Sequence, residues 1–225
     1  MKRTHGLLLP LALLACSEAT PSSLPTTPAA RGEVAATPGQ TPRALERASV
    51  GQPAPDFTLS DLDDKPVRLS DFKGKTIVLE WFNPECPFVK RAHQKGSLRS
   101  MAASETEKGV VWLAINSGAP GKQGHGRDVN AQGKAAFGLT HPVLLDETGT
   151  VGKSYGATNT PHIVVIDPNG TLVYSGGLDD TGGGEPESGE AVKNYVALAL
   201  EAVAAKRPIA EASTKPWGCS VKYGS

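Results

Sequence analysis

The sequence predicts an α/β fold with a mixed central sheet, and three observations lead to this expectation. Segments with strand and helix patterns alternate along the chain. The near-continuous apolar run at 76–82 is typical of a strand covered on both faces. An Asn-Gly pair at 169–170 separates the apolar segments 162–166 and 172–174, which is a strong signal for an antiparallel hairpin.

The other elements are predicted from the same patterns. In chain order they are a hairpin from 57–59 and 67–69, a helix that begins near Cys86, runs past His93 and is broken or kinked at Gly96, a buried strand at 110–115, a weak helix at 127–137, a strand at 143–145 and a helix at 190–205. The sequence contains no internal repeat, so we expect one domain built around this sheet.

The composition excludes several classes of protein. The 225 residues carry 23 basic and 23 acidic side chains, for a formal net charge of zero. A nucleic-acid binder that works through bulk charge needs a basic excess, so no nucleic-acid partner is expected. Three Cys are too few for a disulfide-dense mini-domain. No apolar run reaches the ~18–20 residues that span a bilayer.

The first residues predict an exported protein with a lipid anchor. Lys2 and Arg3 precede a short apolar run at 7–15, which is the pattern of a secretory signal. The run ends in Leu-Leu-Ala-Cys16, which resembles a bacterial lipobox. In lipoproteins the signal is cut before this Cys, which then carries the acyl chains. The alternative is an ordinary signal peptide with a chance Cys at this point.

Four segments are therefore expected. Residues 1–15 form the signal peptide, and 16–48 contain the lipobox Cys and a disordered tether, because this Pro- and Thr-rich stretch has no aromatic residue to bury. Residues 49–205 form the folded domain, and 206–225 form a tail that carries Cys219. The expected location is the periplasmic face of the cell envelope. The residue after the lipobox Cys is Ser, which favours the outer membrane, and a lipid anchor is the only membrane contact expected.

Cys86 is the candidate nucleophile. It follows the strand at 76–82 and opens the predicted helix, where unpaired N–H groups and the helix dipole favour a thiolate. Pro87 suits the first helical turn because it has no N–H to leave unpaired. Lys90 lies one turn further on and adds positive potential. These features predict an exposed, reactive thiolate, and the alternative is a buried, inert cysteine.

Several motifs together resemble the thioredoxin-like fold. They are a strand followed by Cys-Pro at 86–87, and Thr-Pro at 160–161 before a later strand. The segments 50–59 and 69–75 are similar to the opening of the redoxin family, in its alkyl-hydroperoxide-reductase and thiol-specific-antioxidant branch. The resemblance covers about residues 49–205 and implies a central mixed sheet flanked by helices.

The chain departs from two related patterns around this cysteine. Thioredoxin-type oxidoreductases carry Cys-x-x-Cys, and here Val89 replaces the second Cys. A disulfide within the motif is therefore impossible. Peroxiredoxins carry Pro-x-x-x-Thr/Ser-x-x-Cys, and here Leu79 and Asn83 occupy the matching positions. The hydroxyl that polarises peroxide in that pattern is missing, so efficient peroxidase activity is not expected.

Cys219 is the candidate resolving thiol. If Cys16 is lipidated, Cys86 and Cys219 are the pair that remains, and two leftover Cys in an exported protein usually pair. In this hypothesis Cys219 attacks an oxidised or mixed-disulfide Cys86. The alternative is a static disulfide that pins the tail. The sequence leaves open whether the bond forms within one chain or between two.

The resemblance also implies a substrate groove beside the cysteine. Pro161 matches the cis-proline of the fold, and the backbone of Thr160 before it would pair with an extended thiol substrate. A trans turn proline is the alternative. Pro87 and Asn83 are expected to line the same groove. We interpret His162 as a packed strand residue rather than a copper ligand, and we expect no metal or cofactor.

These observations predict an extracytoplasmic thiol–disulfide redox protein. Its expected partners are an external thiol reductant and an oxidised protein or small-thiol substrate. One alternative is a thiol peroxidase with an antioxidant role, in which Cys86 becomes a sulfenic acid that condenses with Cys219. The other is a non-catalytic or copper-binding thioredoxin-like module.

Overall fold

A seven-stranded mixed sheet forms the centre of the molecule. The structure is a computed structural model and describes residues 46–184 and 191–224. The strands are β1 (Thr58–Asp61), β2 (Pro66–Arg68), β3 (Ile77–Trp81), β4 (Val111–Asn116), β5 (Val143–Leu145), β7 (Ile163–Ile166) and β8 (Leu172–Gly176). They lie in the order β2-β1-β5-β4-β3-β7-β8. β3, β4 and β5 run parallel, whereas β7 pairs antiparallel with both β3 and β8, and β1 pairs antiparallel with β2 and β5.

Helices cover both faces of this sheet. They are α1 (Pro87–Gln94), α2 (Leu98–Glu107), α3 (Arg127–Ala136), α4 (Thr150–Ser154) and α5 (Tyr195–Ala204), with a 3₁₀ turn at Leu69–Phe72. Apolar side chains of α1, α2 and α5 pack together on one face of the sheet, and those of α4 pack on the other. A second, two-stranded sheet joins β6 (Asn159–Thr160) to β9 (Cys219–Ser220).

The alternation of side chains along β3 places the core on both faces of the sheet. Every residue of β3 is buried. Ile77, Leu79 and Trp81 belong to the cluster that includes α4. Val78 belongs to the cluster that includes α1, α2 and α5. Burial on both faces explains the near-continuous apolar run, and the one charged residue in the strand, Glu80, needs buried partners of its own.

The predicted α/β architecture is confirmed, and it is a thioredoxin-like fold with a central mixed sheet flanked by helices. The predicted start of the last helix, at 190, is wrong. This helix begins at Tyr195 because the Asn194 side chain accepts a hydrogen bond from the backbone N–H of Ala197, at 2.8 Å, and so caps its first turn. Asn194 itself forms a β-bridge with Asp179, and Lys193 before it exchanges hydrogen bonds with Asp180. The short helix α4 was not among the predicted elements.

Both ends of the described chain pack onto the domain. Ala48 donates its N–H to the carbonyl oxygen of Ser154, at 2.9 Å, and the Ser154 hydroxyl donates to the carbonyl of Glu46. The last residues of the stretch predicted as a tether therefore belong to the fold. The predicted signal peptide, Cys16 and the remaining tether lie outside the described residues. None of the helices described is both long and apolar enough to cross a membrane.

Candidate active site

Cys86 lies where the central strand passes into a helix. It is the N-cap residue of α1, with extended backbone angles, and Pro87 occupies the first helical position. The backbone N–H of Lys90 donates to the Cys86 carbonyl at 3.0 Å, which closes the first helical turn. The sequence-based placement of the cysteine at a helix start is confirmed. Its side chain thus lies beside the unpaired N–H groups of that turn.

The loop before Cys86 is held by its own polar residues. Asn83 is buried, its Oδ1 accepts from the N–H of Glu85 at 2.9 Å, and its Nδ2 donates to the carbonyl of Gln123 at 3.3 Å. A carboxylate oxygen of Glu85 accepts from the N–H of Gly124 at 2.6 Å. The structure therefore places Asn83 in the support of the loop, where its amide is already engaged, rather than in an open groove as predicted.

The predicted exposure of Cys86 is wrong for this state of the protein. Its side chain has no exposed surface, and it packs in a small apolar cluster with Phe82 and Val89. Cys219, from the C-terminal tail, packs against the same cluster. The physical reason is that the tail covers the cysteine, which the sequence pattern around position 86 does not reveal.

The tail reaches Cys86 by pairing with the strand that precedes the proline. β9 runs antiparallel to β6, with Thr160 opposite Cys219 and Asn159 opposite Ser220. The Cys86 thiol donates to the carbonyl oxygen of Thr160, with 3.4 Å between sulfur and oxygen. Cys86 and Cys219 are free thiols that lie close enough for each to shift the pKa of the other. The structure thus brings together the two cysteines that the sequence proposed as a pair.

The two thiols have unequal acidities. Burial raises the pKa of the Cys86 thiol, but hydrogen bonds from the side chains of Cys219 and Thr160 lower it. Backbone N–H groups of Val89 and Cys219 act in the same direction, so the pKa lies below its ordinary value. Burial raises the pKa of Cys219, and so do the hydrogen bond and negative charge of Cys86. Cys86 is therefore the more acidic thiol of the pair and Cys219 the less acidic one.

The remaining predicted groove residues surround this pair. The Thr160-Pro161 peptide bond is cis, as the resemblance implied. Thr160 is buried with its carbonyl facing Cys86, and Pro87 is exposed beside the cysteine. The edge of β6, where an extended substrate was expected to pair, is occupied by the tail itself.

Two other predicted residues do not act directly on the thiolate. Lys90 is exposed on α1, and the principal groups that lower the pKa of Cys86 are hydrogen-bond donors rather than this amine. His162 is buried, its Nε2 lies 3.0 Å from the Ser175 hydroxyl, and its ring meets Trp81 edge to face. Burial lowers the pKa of His162 to about 4. Across residues 46–184 and 191–224, no cluster of His, Cys, Asp and Glu is arranged to hold a metal ion.

A buried pair of an acid and a histidine, which joins β3 to α1, was not predicted. Glu80, in the middle of β3, is fully buried, and its Oε1 lies 2.7 Å from Nε2 of His93 on α1. Its other oxygen accepts from the indole N–H of Trp112 at 2.9 Å. Burial raises the pKa of Glu80, but the charge and hydrogen bond of His93 outweigh it and hold the pKa below its ordinary value. The sequence feature that could have indicated this pair is Glu80, a single acidic residue inside an otherwise apolar strand.

The chain matches known proteins over most of this domain. The family model described as Redoxin matches residues 49–193. A relative named thiol-disulfide oxidoreductase ResA, from Geobacillus thermodenitrificans (strain NG80-2), is 33% identical over 125 residues, which cover 55% of this chain and 67% of the relative. The protein of the same name from Bacillus subtilis (strain 168) is 29% identical over 133 residues, covering 57% and 67%.

Two solved structures share the fold. An uncharacterized conserved protein from Geobacillus kaustophilus has 32% sequence identity and a TM-score of 0.70, and the match covers 80% of this chain and 95% of that one. A hypothetical protein from Sinorhizobium meliloti 1021 has 26% identity and a TM-score of 0.68, with 80% and 98% covered. The matches are to redoxins and to proteins named for thiol–disulfide chemistry, and they do not single out the antioxidant branch that the sequence motifs resembled.

Proposed function

Because this chain belongs to the redoxin family, we propose that it is a thiol–disulfide oxidoreductase in which Cys86 is the nucleophile and Cys219 is the resolving thiol. The observation that carries the proposal is the pairing of β9 with β6, which holds two free thiols of opposite pKa shift side by side. The names of the ResA relatives support the same chemistry.

The first step forms a mixed disulfide. The Cys86 thiolate attacks one sulfur of a substrate disulfide, the substrate S–S bond breaks, and the second substrate sulfur leaves as a thiolate that takes up a proton from water. The thiolate form of Cys86 is favoured by the hydrogen bonds it accepts, so it is the attacking sulfur of the pair.

The second step releases the substrate. Cys219 loses its proton and attacks the sulfur of Cys86, which forms the Cys86–Cys219 disulfide and expels the remaining substrate sulfur as a thiolate. That thiolate takes up the proton, so one substrate disulfide is reduced to two thiols while the enzyme pair is oxidised. An external thiol reductant then reduces the pair, which completes a turnover.

The location is part of the proposal. The basic start of the chain, its short apolar run and Cys16 favour export and attachment by a lipid anchor on the periplasmic face of the cell envelope. An exported protein works in an oxidising compartment, where protein disulfides form and persist. Such disulfides are therefore available there as substrates.

Trapping the mixed disulfide tests the mechanism. The reduced full chain, Cys219→Ser and Cys86→Ser are each mixed with a disulfide-bonded model protein such as insulin, quenched in acid and mapped by mass spectrometry. We expect Cys219→Ser to accumulate an insulin adduct at Cys86, the unmodified chain to accumulate the Cys86–Cys219 disulfide, and Cys86→Ser to do neither. Adducts that form first at Cys219 would overturn the assignment of the nucleophile.

A further inference from the structure

The C-terminal strap, residues 214–223, occupies the place that a substrate strand would need. Beyond the β6·β9 pairing, the N–H of Val221 donates to the carbonyl of Thr158 at 2.9 Å, and the Asn159 amide donates to the carbonyl of Gly218 at 2.9 Å. Together with the β6·β9 pairing, these bonds use the backbone groups of this edge and the side-chain amide of Asn159. A second extended chain cannot pair with this edge until the strap leaves it.

Cys219 also fills the position from which a sulfur reaches Cys86. Cys86 has no exposed surface, and its thiol contacts the Thr160 carbonyl and the Cys219 side chain. A substrate sulfur must therefore take the place of the Cys219 sulfur before it can react. The strap and the substrate compete for one strand edge and for one sulfur position.

The residue before Cys219 is constrained to be glycine. Gly218 has φ of +101°, in the region that disfavours side chains. A Cβ at this position would lie 2.2 Å from the carbonyl oxygen of Thr160. In any strand that follows the same path past Thr160, a side chain at the corresponding position would clash with this carbonyl oxygen.

The strap is held at both ends. Upstream, the Thr214 hydroxyl accepts from the N–H of Gly177 at 2.9 Å, and the Trp217 indole donates to the carbonyl of Asp179 at 2.9 Å. Downstream, the Tyr223 hydroxyl donates to the carbonyl of Ala157 at 2.8 Å. The upstream contacts fasten the strap to β8 and the loop after it. The downstream end is held by Tyr223 together with a backbone hydrogen bond from the Ala119 N–H to the Lys222 carbonyl, at 2.8 Å.

Tyr223 lies in a seat made by two glycines of the α4 region. A Cβ on Gly149 would lie 2.5 Å from the Tyr223 ring, and a Cβ on Gly152 would lie 2.4 Å from its hydroxyl oxygen. Lys153 places its Nζ 5.5 Å from the ring centroid. The domain thus has a fitted site for this side chain.

We propose that the strap is an internal substitute for the substrate strand, latched by Tyr223, and that the substrate is an extended protein segment with glycine directly before its reactive cysteine. The inference rests on the proposed function and adds the substrate class. Release of the strap admits the substrate to β6 and Cys86. Return of the strap brings Cys219 back and displaces the substrate strand as its disulfide is resolved. The tether keeps the strap at high local concentration, which favours this return.

The latch is tested by the alkylation rate of Cys86. The full chain carries Cys219→Ser, and iodoacetamide labelling of Cys86 is followed by peptide mass. Tyr223→Ala removes the side chain that forms the latch. Gly152→Ala places a Cβ where the Tyr223 hydroxyl lies, and so excludes that side chain from its site. We expect each to raise the labelling rate by about tenfold, because the closed state loses a hydrogen bond and aromatic packing. Lys215→Ala, on an exposed strap side chain, is the control and leaves the rate unchanged. Unchanged rates in both latch variants would overturn the competitor role of the strap.

The substrate preference is tested with two peptides that copy residues 215–223, one with glycine and one with alanine before the cysteine. Each is supplied as its mixed disulfide with thionitrobenzoate, and release of that chromophore reports attack by Cys86 in the Tyr223→Ala, Cys219→Ser chain. We expect the glycine peptide to react about tenfold faster, while free glutathione attacks both peptides equally. Equal rates with the protein would overturn the glycine requirement. If Cys86 attacks neither peptide nor the free thionitrobenzoate disulfide, the proposed function fails rather than this inference.

Discussion

At the scale of single residues, the chemistry depends on two sulfurs that differ in acidity. Cys86 gains hydrogen bonds from Cys219, Thr160 and the first turn of α1, and together these outweigh the burial that raises its pKa. Cys219 is partly buried, and this burial together with the neighbouring Cys86 raises its pKa to about 11. The contact between the two thiols therefore lowers the pKa of Cys86 and raises the pKa of Cys219. In the proposed mechanism this difference makes Cys86 the first sulfur to attack.

This asymmetry predicts a pH dependence for alkylation of Cys86. In the unmodified chain, the midpoint of the rate against pH lies below ~8.5, the ordinary value for a thiol. Cys219→Ala removes a donor and moves the midpoint of Cys86 upwards, whereas Cys219→Ser keeps a hydroxyl donor and moves it less. The measurement is iodoacetamide labelling across pH, resolved by peptide mass. A midpoint that Cys219→Ala leaves in place would show that Cys219 does not tune the nucleophile.

At the scale of elements, β3 and α1 form one unit that holds Cys86 at their junction. The buried pair of Glu80 and His93 ties the middle of the strand to the last turn of the helix. The His93 ring also stacks on Phe137, with 5.4 Å between centroids. Removing one partner of a buried pair leaves an uncompensated charge, so this contact matters to the position of the helix and hence of the cysteine.

His93→Ala is expected to lower the free energy of unfolding by about 3–5 kcal/mol at neutral pH. His93→Gln, which keeps a donor for Glu80, loses less. Because the folded-state pKa of Glu80 is lowered, the stability it contributes is present above its unfolded value of ~4.3 and is lost as the pH falls through the folded value. The difference between the unmodified chain and His93→Ala therefore shrinks in acid. Urea unfolding across pH measures it, and a pH-independent difference would contradict a charged Glu80.

The sequence predicted the elements that carry a strong local pattern. The apolar run at 76–82 and the Asn-Gly hairpin at 169–170 both appear where they were expected. The β6·β9 pair was not predicted because two-residue strands have no periodicity, and their partners are far apart in the chain. The pairing of Glu80 with His93 was missed because it depends on how α1 packs over β3, which the local sequence pattern does not show.

At the scale of the whole molecule, the chain folds back over its own reactive centre. The strap runs from β8 past Cys86 to α4, and Ala48 near the start of the described chain also bonds to α4. The proposed nucleophile and the proposed resolving thiol therefore come from segments far apart in the chain, rather than from one short motif. This arrangement explains how a chain with Val89 in place of a second motif cysteine can still hold a dithiol pair.

The reduction potential of the Cys86–Cys219 pair tests this account most directly. The full chain is equilibrated in glutathione buffers of graded potential, quenched in acid and analysed by peptide mass. We expect a disulfide between these two residues with a potential above about −300 mV, in the range where thiol reductants and protein disulfides exchange with it. Two thiols that stay free in oxidising buffers, or a disulfide with a potential well below that value, would contradict a working redox pair.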